Sequence, residues 1–128
     1  MKMTASTRLV GGVTIVDLSG RIVLGEGSAG LRDLLRKLVS EGIKKILLNL
    51  RNVDYIDSSG LGELVSAFTS VRSGGGALKL LNLTKRVQAL LQITKLYTVF
   101  DITDDEATSV KSFSPSILPA SLLQPVMR

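Results

Sequence analysis

The chain has 128 residues and a formal net charge of +5, and it contains neither histidine nor cysteine. Without these two residue types there can be no Ser-His-Asp relay, no His/Cys zinc site and no disulfide bond. Aromatic residues make up only 4% of the chain and the basic residues are scattered along it, so we predict no direct binding of nucleic acid.

The length is that of one domain, and a hydrophobic content of 45% is enough for a packed aliphatic core. No apolar run approaches the roughly 20 residues of a membrane-spanning helix. The N-terminal residues also lack the apolar stretch of a signal peptide. We therefore expect a cytoplasmic protein without a membrane span.

The beginning of the chain predicts a β-hairpin. Residues 4–10 are a weak strand candidate, and Gly11-Gly12 is typical of a two-residue hairpin turn. Residues 13–18 form a stronger strand candidate, which we expect Gly20 to end.

A helix and a buried strand are predicted next. Residues 25–28 form a loop in which Ser28 can cap the helix. Leucines recur at the spacing of one helix face, at Leu31, Leu34, Leu35 and Leu38. Gly42 can take the left-handed conformation that ends a helix. Residues 43–50 follow as a strand around the apolar run of residues 46–48.

The rest of the chain repeats this alternation of helix and strand. The later elements are, in order, a second helix to about residue 73, a strand at 77–83, a third helix capped by Thr84, a strand at 99–102 and a fourth helix. Thr103 and Glu106 have the spacing of a capping box for that last helix. The residues expected on the inner faces are Leu61, Leu64, Val65, Phe68, Val87, Leu90, Leu91, Ala107, Val110 and Phe113.

This order predicts one α/β domain, a mostly parallel mixed β-sheet with an N-terminal hairpin and about four helices. We assign the domain to residues 1–113. All three prolines lie in residues 114–128, which carry a single charge. We expect those residues to form a flexible C-terminal tail.

The segment 57–62, Asp-Ser-Ser-Gly-Leu-Gly, lies where the central strand passes into the second helix. We expect Ser58 to be the N-cap and Ser59 to open the first turn, where free N–H groups and the helix dipole would favour a phosphate. Ordinary helix capping is the alternative explanation of the two serines. Gly60 and Gly62 are poor helix formers, and we expect them to leave an open surface for the close approach of another protein.

An enzymatic role for these serines is the main alternative of a different class. Asp57 alone is a weak base for a serine hydroxyl, and neither a Ser-x-x-Lys nor a Gly-x-Ser-x-Gly motif occurs beside them. The glycines at 74–76 lack the rest of a Walker loop. The acidic residues at 104–106 are more typical of a helix start than of a metal site. We predict no enzyme, no catalytic residue, no metal and no cofactor bound by this chain.

The segment 57–62 after its strand resembles the signature of the STAS domain. More narrowly, it resembles the bacterial anti-sigma factor antagonists, also called anti-anti-sigma factors, over about residues 10–113. The resemblance implies a STAS fold, with phosphorylation at the second serine, Ser59, and Ser58 as the alternative. It implies a serine-kinase anti-sigma factor as the partner of the unphosphorylated protein, which thereby releases a sigma factor. A serine phosphatase would reset the switch, and Mg-ATP would belong to the kinase.

The resemblance also implies a surface for binding the partner, made of Asp57, Ser58, Ser59, Gly60, Leu61, Gly62 and Glu26. Family members commonly carry an aspartate in a Gly-x-Leu-Asp turn before the first helix. Here Leu24 stands near that position, and Glu26 is the nearest carboxylate. The alternative function is that of a STAS subunit in a stress-signalling or transport-associated complex without control of a sigma factor.

We predict that removing residues 114–128 leaves the free energy of unfolding nearly unchanged, because a tail rich in proline is not expected to pack on the domain. Urea denaturation of the full and shortened chains measures the difference. A loss of more than about 2 kcal/mol, the size expected for burying one or two apolar side chains, would show that the tail packs.

Overall fold

The computed structural model of the chain describes residues 3–113. Their elements are β1 (Thr4–Val10), β2 (Val13–Ile22), α1 (Glu26–Ser40), β3 (Lys45–Ile56), α2 (Ser58–Ser73), β4 (Ala77–Leu81), α3 (Lys85–Thr94), β5 (Ile102–Thr103) and α4 (Glu106–Ser112), with one 3₁₀ turn at Leu96–Thr98. The predicted tail at 114–128 lies outside the described residues. Within residues 3–113, none of the helices is both long and apolar enough to cross a membrane.

The five strands form one sheet in the order β1-β2-β3-β4-β5. The hairpin β1–β2 is antiparallel, and each further neighbour is parallel. The predicted fold, an α/β domain with a mostly parallel mixed sheet and an N-terminal hairpin, is confirmed. Helix crossovers between parallel strands place all carboxyl ends of β2 to β5 at one edge of the sheet.

Apolar side chains cover both faces of the central strand β3. Ile46 and Leu48 pack in the larger core beneath α1, α2 and α3. Leu47 points to the opposite face and packs in a smaller cluster with Phe113 beside α4. This alternation explains why the run is apolar without interruption, as is usual for a strand buried on both sides.

Polar side chains cross the second face of the sheet beside that smaller cluster. Asn49 donates from Nδ2 to Asp17 Oδ1 at 2.8 Å, and Asp17 accepts from Arg8 Nε at 2.6 Å. Arg8 also donates from Nη2 to Glu106 Oε1 at 2.6 Å. These two acids, Glu106 first, raise the pKa of the Arg8 guanidinium. The pairs connect the start of α4 to β1 and β2.

Two strands run further than the sequence predicts. Gly20 does not end β2. It has a φ of +92° and lies where the pairing of β2 with β3 shifts register, as at a β-bulge, and the strand continues beyond it to Ile22. Strand β3 continues past residue 50 to Ile56, because Val53 and Ile56 are still buried in the core. The predicted loop before α2 therefore shrinks to one residue.

The predicted cap of α1 at Ser28 is wrong. The helix begins at Glu26 after Gly25, without a side-chain cap, and Ser28 is a buried residue of its first turn. The first turn of α1 packs closely on β2 instead of being preceded by a loop at these residues. A Cβ added at Gly27 would lie 2.6 Å from the carbonyl oxygen of Arg21. The predicted helix end is confirmed, with Gly42 at a φ of +78°.

The last two elements also differ from the prediction. Strand β5 occupies Ile102–Thr103 rather than 99–102. The predicted capping box is wrong, because Asp105 caps α4 by accepting from the N–H of Thr108 at 2.9 Å, while Glu106 is bound to Arg8. Ala107 is exposed rather than buried. In contrast, the predicted cap of α3 is confirmed, since the N–H of Val87 donates to Thr84 Oγ1.

Candidate functional site

Asp57 is the single residue between β3 and α2, and it is the N-cap of α2. Its Oδ1 accepts from the N–H groups of Ser59 and Gly60, both at 3.0 Å. The prediction that Ser58 is the cap is therefore wrong. Asp57 is extended, with φ −101° and ψ −175°, and this conformation aims its carboxylate at the free N–H groups of the helix.

Asp57 also holds the loop between β2 and α1. Its Oδ2 accepts from the N–H of Leu24 at 2.9 Å, and its own N–H donates to the carbonyl oxygen of Ile22 at 3.2 Å. The start of α2 and the end of β2 are thus connected through one side chain and one backbone group.

The hydrogen bonds keep Asp57 ionised. Its pKa falls from the usual 3.8 to about 2, chiefly because the Ser59 hydroxyl donates to it, with the N–H groups of Gly60, Leu24 and Ser59 adding to the effect and burial opposing it. The carboxylate is therefore anionic at neutral pH and places its charge at the positive end of the helix dipole.

The two serines have different surroundings. Ser59 is half-buried, and its hydroxyl donates to Asp57 Oδ1 at 2.6 Å. Ser58 is exposed as the first residue of α2, and its hydroxyl has no hydrogen-bond partner among residues 3–113. Of the two serines, it is therefore Ser59 whose side chain engages the capping carboxylate.

The two glycines of the motif also have different surroundings. Gly60 is buried, and a Cβ there would lie 2.4 Å from the carbonyl oxygen of Ile22. Gly60 thus allows α2 to approach β2, which corrects the expectation that it leaves open surface. Gly62 is exposed, and a Cβ there would meet nothing within 4 Å, so only Gly62 leaves the surface bare.

The predicted partner-binding residues accordingly divide into surface and interior. Leu61 is buried in the core and, like Gly60, offers no side chain to a partner. Asp57 and Ser59 are half-buried, while Ser58, Gly62 and Glu26 are exposed. Glu26 opens α1, two residues after Leu24, whose N–H is bound to Asp57.

Two exposed apolar residues beside Asp57 were not predicted from the sequence as site residues. Leu24 is 79% exposed and Tyr55 is 37% exposed. The guanidinium carbon of Arg21 lies 5.0 Å from the centre of the Tyr55 ring. The preference of aspartate for the N-cap position could have identified Asp57 as the cap from the sequence. Tyr55 could not be placed beside the site in this way, because its position depends on β3 continuing past residue 50.

Two of the three acidic residues at 104–106 have local structural roles. Asp105 caps α4 and Glu106 binds Arg8. Within residues 3–113, no group of three side chains is arranged to hold a metal ion.

Comparison with protein-family models matches residues 4–109 to the STAS domain. Among curated proteins, the anti-sigma-B factor antagonist of Bacillus subtilis (strain 168) is 42% identical over 72 residues, which are 56% of this chain and 65% of that protein. The match thus spans just under two thirds of that relative's length.

Solved structures share the fold. An anti-sigma factor antagonist from Mycobacterium paratuberculosis has a TM-score of 0.78 at 17% identity, covering 88% of this chain and 94% of that one. The Bacillus cell fate determinant SpoIIAA in its phosphorylated form has a TM-score of 0.67 at 16% identity, covering 87% of this chain and 100% of that one. At these identities the likeness concerns the fold.

We predict opposite effects of alanine at the two glycines of the motif. Gly60→Ala should lower the free energy of unfolding by about 3 kcal/mol, because the new methyl group collides with a backbone carbonyl. Gly62→Ala is the matched control and should raise it by about 0.5–1 kcal/mol, since alanine favours the helix and has free space. Urea denaturation measures both. Equal effects would contradict the close approach at Gly60.

We also predict that Asp57 makes stability depend on pH. Because its pKa is lower in the folded state, its contribution is complete above pH 3.8 and is lost as the pH falls towards about 2. Asp57→Asn keeps an acceptor for the cap but removes its charge, so wild type should be the more stable protein at neutral pH. The difference in free energy of unfolding between the two should become smaller on acidification. Urea denaturation at a series of pH values measures this difference.

The control for this measurement is Asp54→Asn, which changes an exposed carboxylate nearby. Other acids with lowered pKa, among them Asp17 and Glu106, are unchanged in all three proteins and cancel in the comparison. A difference between wild type and Asp57→Asn that stays constant with pH would contradict the ionised cap.

Proposed function

The chain belongs to the STAS-domain family, among the anti-sigma factor antagonists, and from this we propose that it binds an anti-sigma factor until phosphorylation of Ser59 prevents the binding. The anti-sigma factor is a serine kinase that holds its own Mg-ATP and modifies Ser59. A serine phosphatase restores the hydroxyl. The chain acts by binding and carries out no catalysis itself.

The hydrogen bond from the Ser59 hydroxyl to Asp57, at 2.6 Å, is the observation that carries this proposal. Phosphorylation removes the donated proton and adds about −1.5 to −2 charges beside a carboxylate that is already ionised. The added charge cannot simply take over the N–H groups of Ser59 and Gly60, because Asp57 already accepts from both. The phosphate therefore presents its charge outward, towards the partner.

This charge weakens binding when the partner surface is complementary to a neutral hydroxyl. The partner must then desolvate a phosphate next to Asp57 without supplying a counter-charge, which costs binding free energy. Ser58 is the alternative acceptor because it is exposed, but its phosphate would leave the bond between Ser59 and Asp57 intact.

We predict that the two serines can be separated by experiment. The 128-residue chain is used to capture kinases from its native host, and the bound kinase is then purified. Ser59→Ala should bind that kinase and resist phosphorylation, whereas Ser59→Asp should bind at least about tenfold more weakly, equivalent to about 1.4 kcal/mol. Isothermal titration measures binding, and phosphopeptide mapping after incubation with Mg-ATP locates the phosphate.

Ser58→Ala is the matched control. It should still accept phosphate on Ser59, and its stability should change by less than about 0.5 kcal/mol because it is an exposed residue that does not cap the helix. Phosphate on Ser58 alone would reverse the assignment. Capture of an assembly that leaves both serines unmodified would instead favour the stress-signalling or transport-associated role.

A further inference from the structure

A groove of about 510 Å³ adjoins the candidate site, between the start of α2 and the outer side of α3. Asp57 and Ser58 form one wall, and side chains of α3 form the other. The residues of the groove that matter here are Tyr55, Asp57, Ser58, Arg86, Leu90 and Ile93. A molecule seated in this groove would lie against the serine motif itself.

The wall formed by α3 includes an apolar side chain that does not belong to the core. Val87 and Leu91 already bury the inner side of this helix. Ile93 is nevertheless 79% exposed, and Tyr55 across the groove is 37% exposed. Isoleucine is also a mediocre helix former, so the stability of α3 does not explain its presence at this exposed position. An exposed apolar surface that borders a functional site is typical of an interaction surface.

The charge of the groove defines the chemistry of its occupant. Asp57 and Arg86 are the charged residues that line it. Asp57 is engaged by four hydrogen bonds from its own chain. Arg86 is exposed and takes part in none of the salt bridges found among residues 3–113. An occupant that inserts an apolar side chain between Tyr55 and Ile93 and brings a carboxylate to Arg86 would complement both features.

We propose that the groove between α2 and α3 is the docking site for a segment of the anti-sigma factor that carries an apolar side chain next to a carboxylate. The assignment of the occupant rests on the proposed function. The groove shares Ser58 with the serine motif, so a kinase docked there holds its active site close to Ser59.

The same geometry explains how phosphate opposes docking. A phosphate at Ser59 lies next to the groove and repels the carboxylate that the segment brings to Arg86. This repulsion reduces the affinity of the partner without any change of fold.

A second copy of this chain fits the groove less well. A two-fold symmetric contact through the groove would place the same surface on both sides. Neither copy would then bring a free carboxylate to Arg86, because Asp57, the one carboxylate among residues 3–113 that lines the groove, already accepts four hydrogen bonds, and each copy carries a formal net charge of +5. The like net charges of the two copies disfavour this contact.

Two substitutions test the groove against two matched controls. Ile93→Asp and Arg86→Glu change the groove, whereas Leu9→Asp changes an apolar residue on β1 that is 73% exposed, and Arg51→Glu reverses an exposed arginine outside the groove. The probe is the purified kinase that the 128-residue chain captures and that phosphorylates Ser59. Isothermal titration measures its dissociation constant, and circular dichroism melts verify that every variant is folded.

We expect Ile93→Asp and Arg86→Glu each to weaken binding by about tenfold or more, as for a residue at the centre of an interface. Phosphorylation of Ser59 at low substrate concentration should slow in the same proportion, while both controls stay within about twofold of wild type. The effect of Arg86→Glu should diminish at high salt, because screening weakens the lost ion pair.

Each other outcome overturns a defined part of the proposal. If wild type is bound and phosphorylated on Ser59 but both groove variants behave as wild type, the docking site is wrong and the proposed function stands. If no kinase binds or modifies wild type, the proposed function fails and the docking site fails with it. If sedimentation shows a dimer of wild type that Ile93→Asp dissociates while kinase binding is unchanged, the occupant is a second copy.

Discussion

The carboxylate of Asp57 is the interaction on which the rest of the site depends. It accepts four hydrogen bonds, from the N–H groups of Leu24, Ser59 and Gly60 and from the Ser59 hydroxyl. These bonds set where α2 begins, where the β2–α1 loop lies and which way the Ser59 side chain points. They also lower the pKa of Asp57 to about 2, so at neutral pH a negative charge lies beside the serine that we propose is phosphorylated.

A steric constraint accompanies this electrostatic one. At Gly60 the backbone of α2 comes so close to Ile22 that any side chain would collide with its carbonyl oxygen. The helix start is therefore pressed against the end of β2, and the two strands that carry Ile22 and Tyr55 end at the same edge of the sheet. Asp57 connects two parts of this edge as a result, because it accepts from the N–H of Leu24 and also lines the groove beside α3.

The sequence predicted the periodic parts of the fold well and the contacts between elements poorly. Periodic leucines correctly predicted α1, and the unbroken apolar run at 46–48 correctly predicted a strand covered on both faces. Ser28, Ser58 and Thr103 were each predicted as helix caps from local composition, and all three were wrong. The cap is the side chain that the backbone before the helix directs at the free N–H groups. Close packing at Gly27 shifted the start of α1, and aspartates, Asp57 and Asp105, cap α2 and α4 instead of the predicted residues.

The sequence by itself determined the α/β class, the order of strands and helices, and the position of the serine motif at a strand-to-helix junction, because hydrophobic periodicity and glycine placement are local properties. Only the tertiary structure decided that Asp57 rather than Ser58 caps α2, that Gly60 serves internal packing while Gly62 is open, and that Tyr55, Arg86 and Ile93 share a groove with Ser58. These outcomes depend on distances between residues up to 38 positions apart in the chain, from Tyr55 to Ile93. Such distances are set by the packing of α2 and α3 on the sheet, which no local pattern encodes.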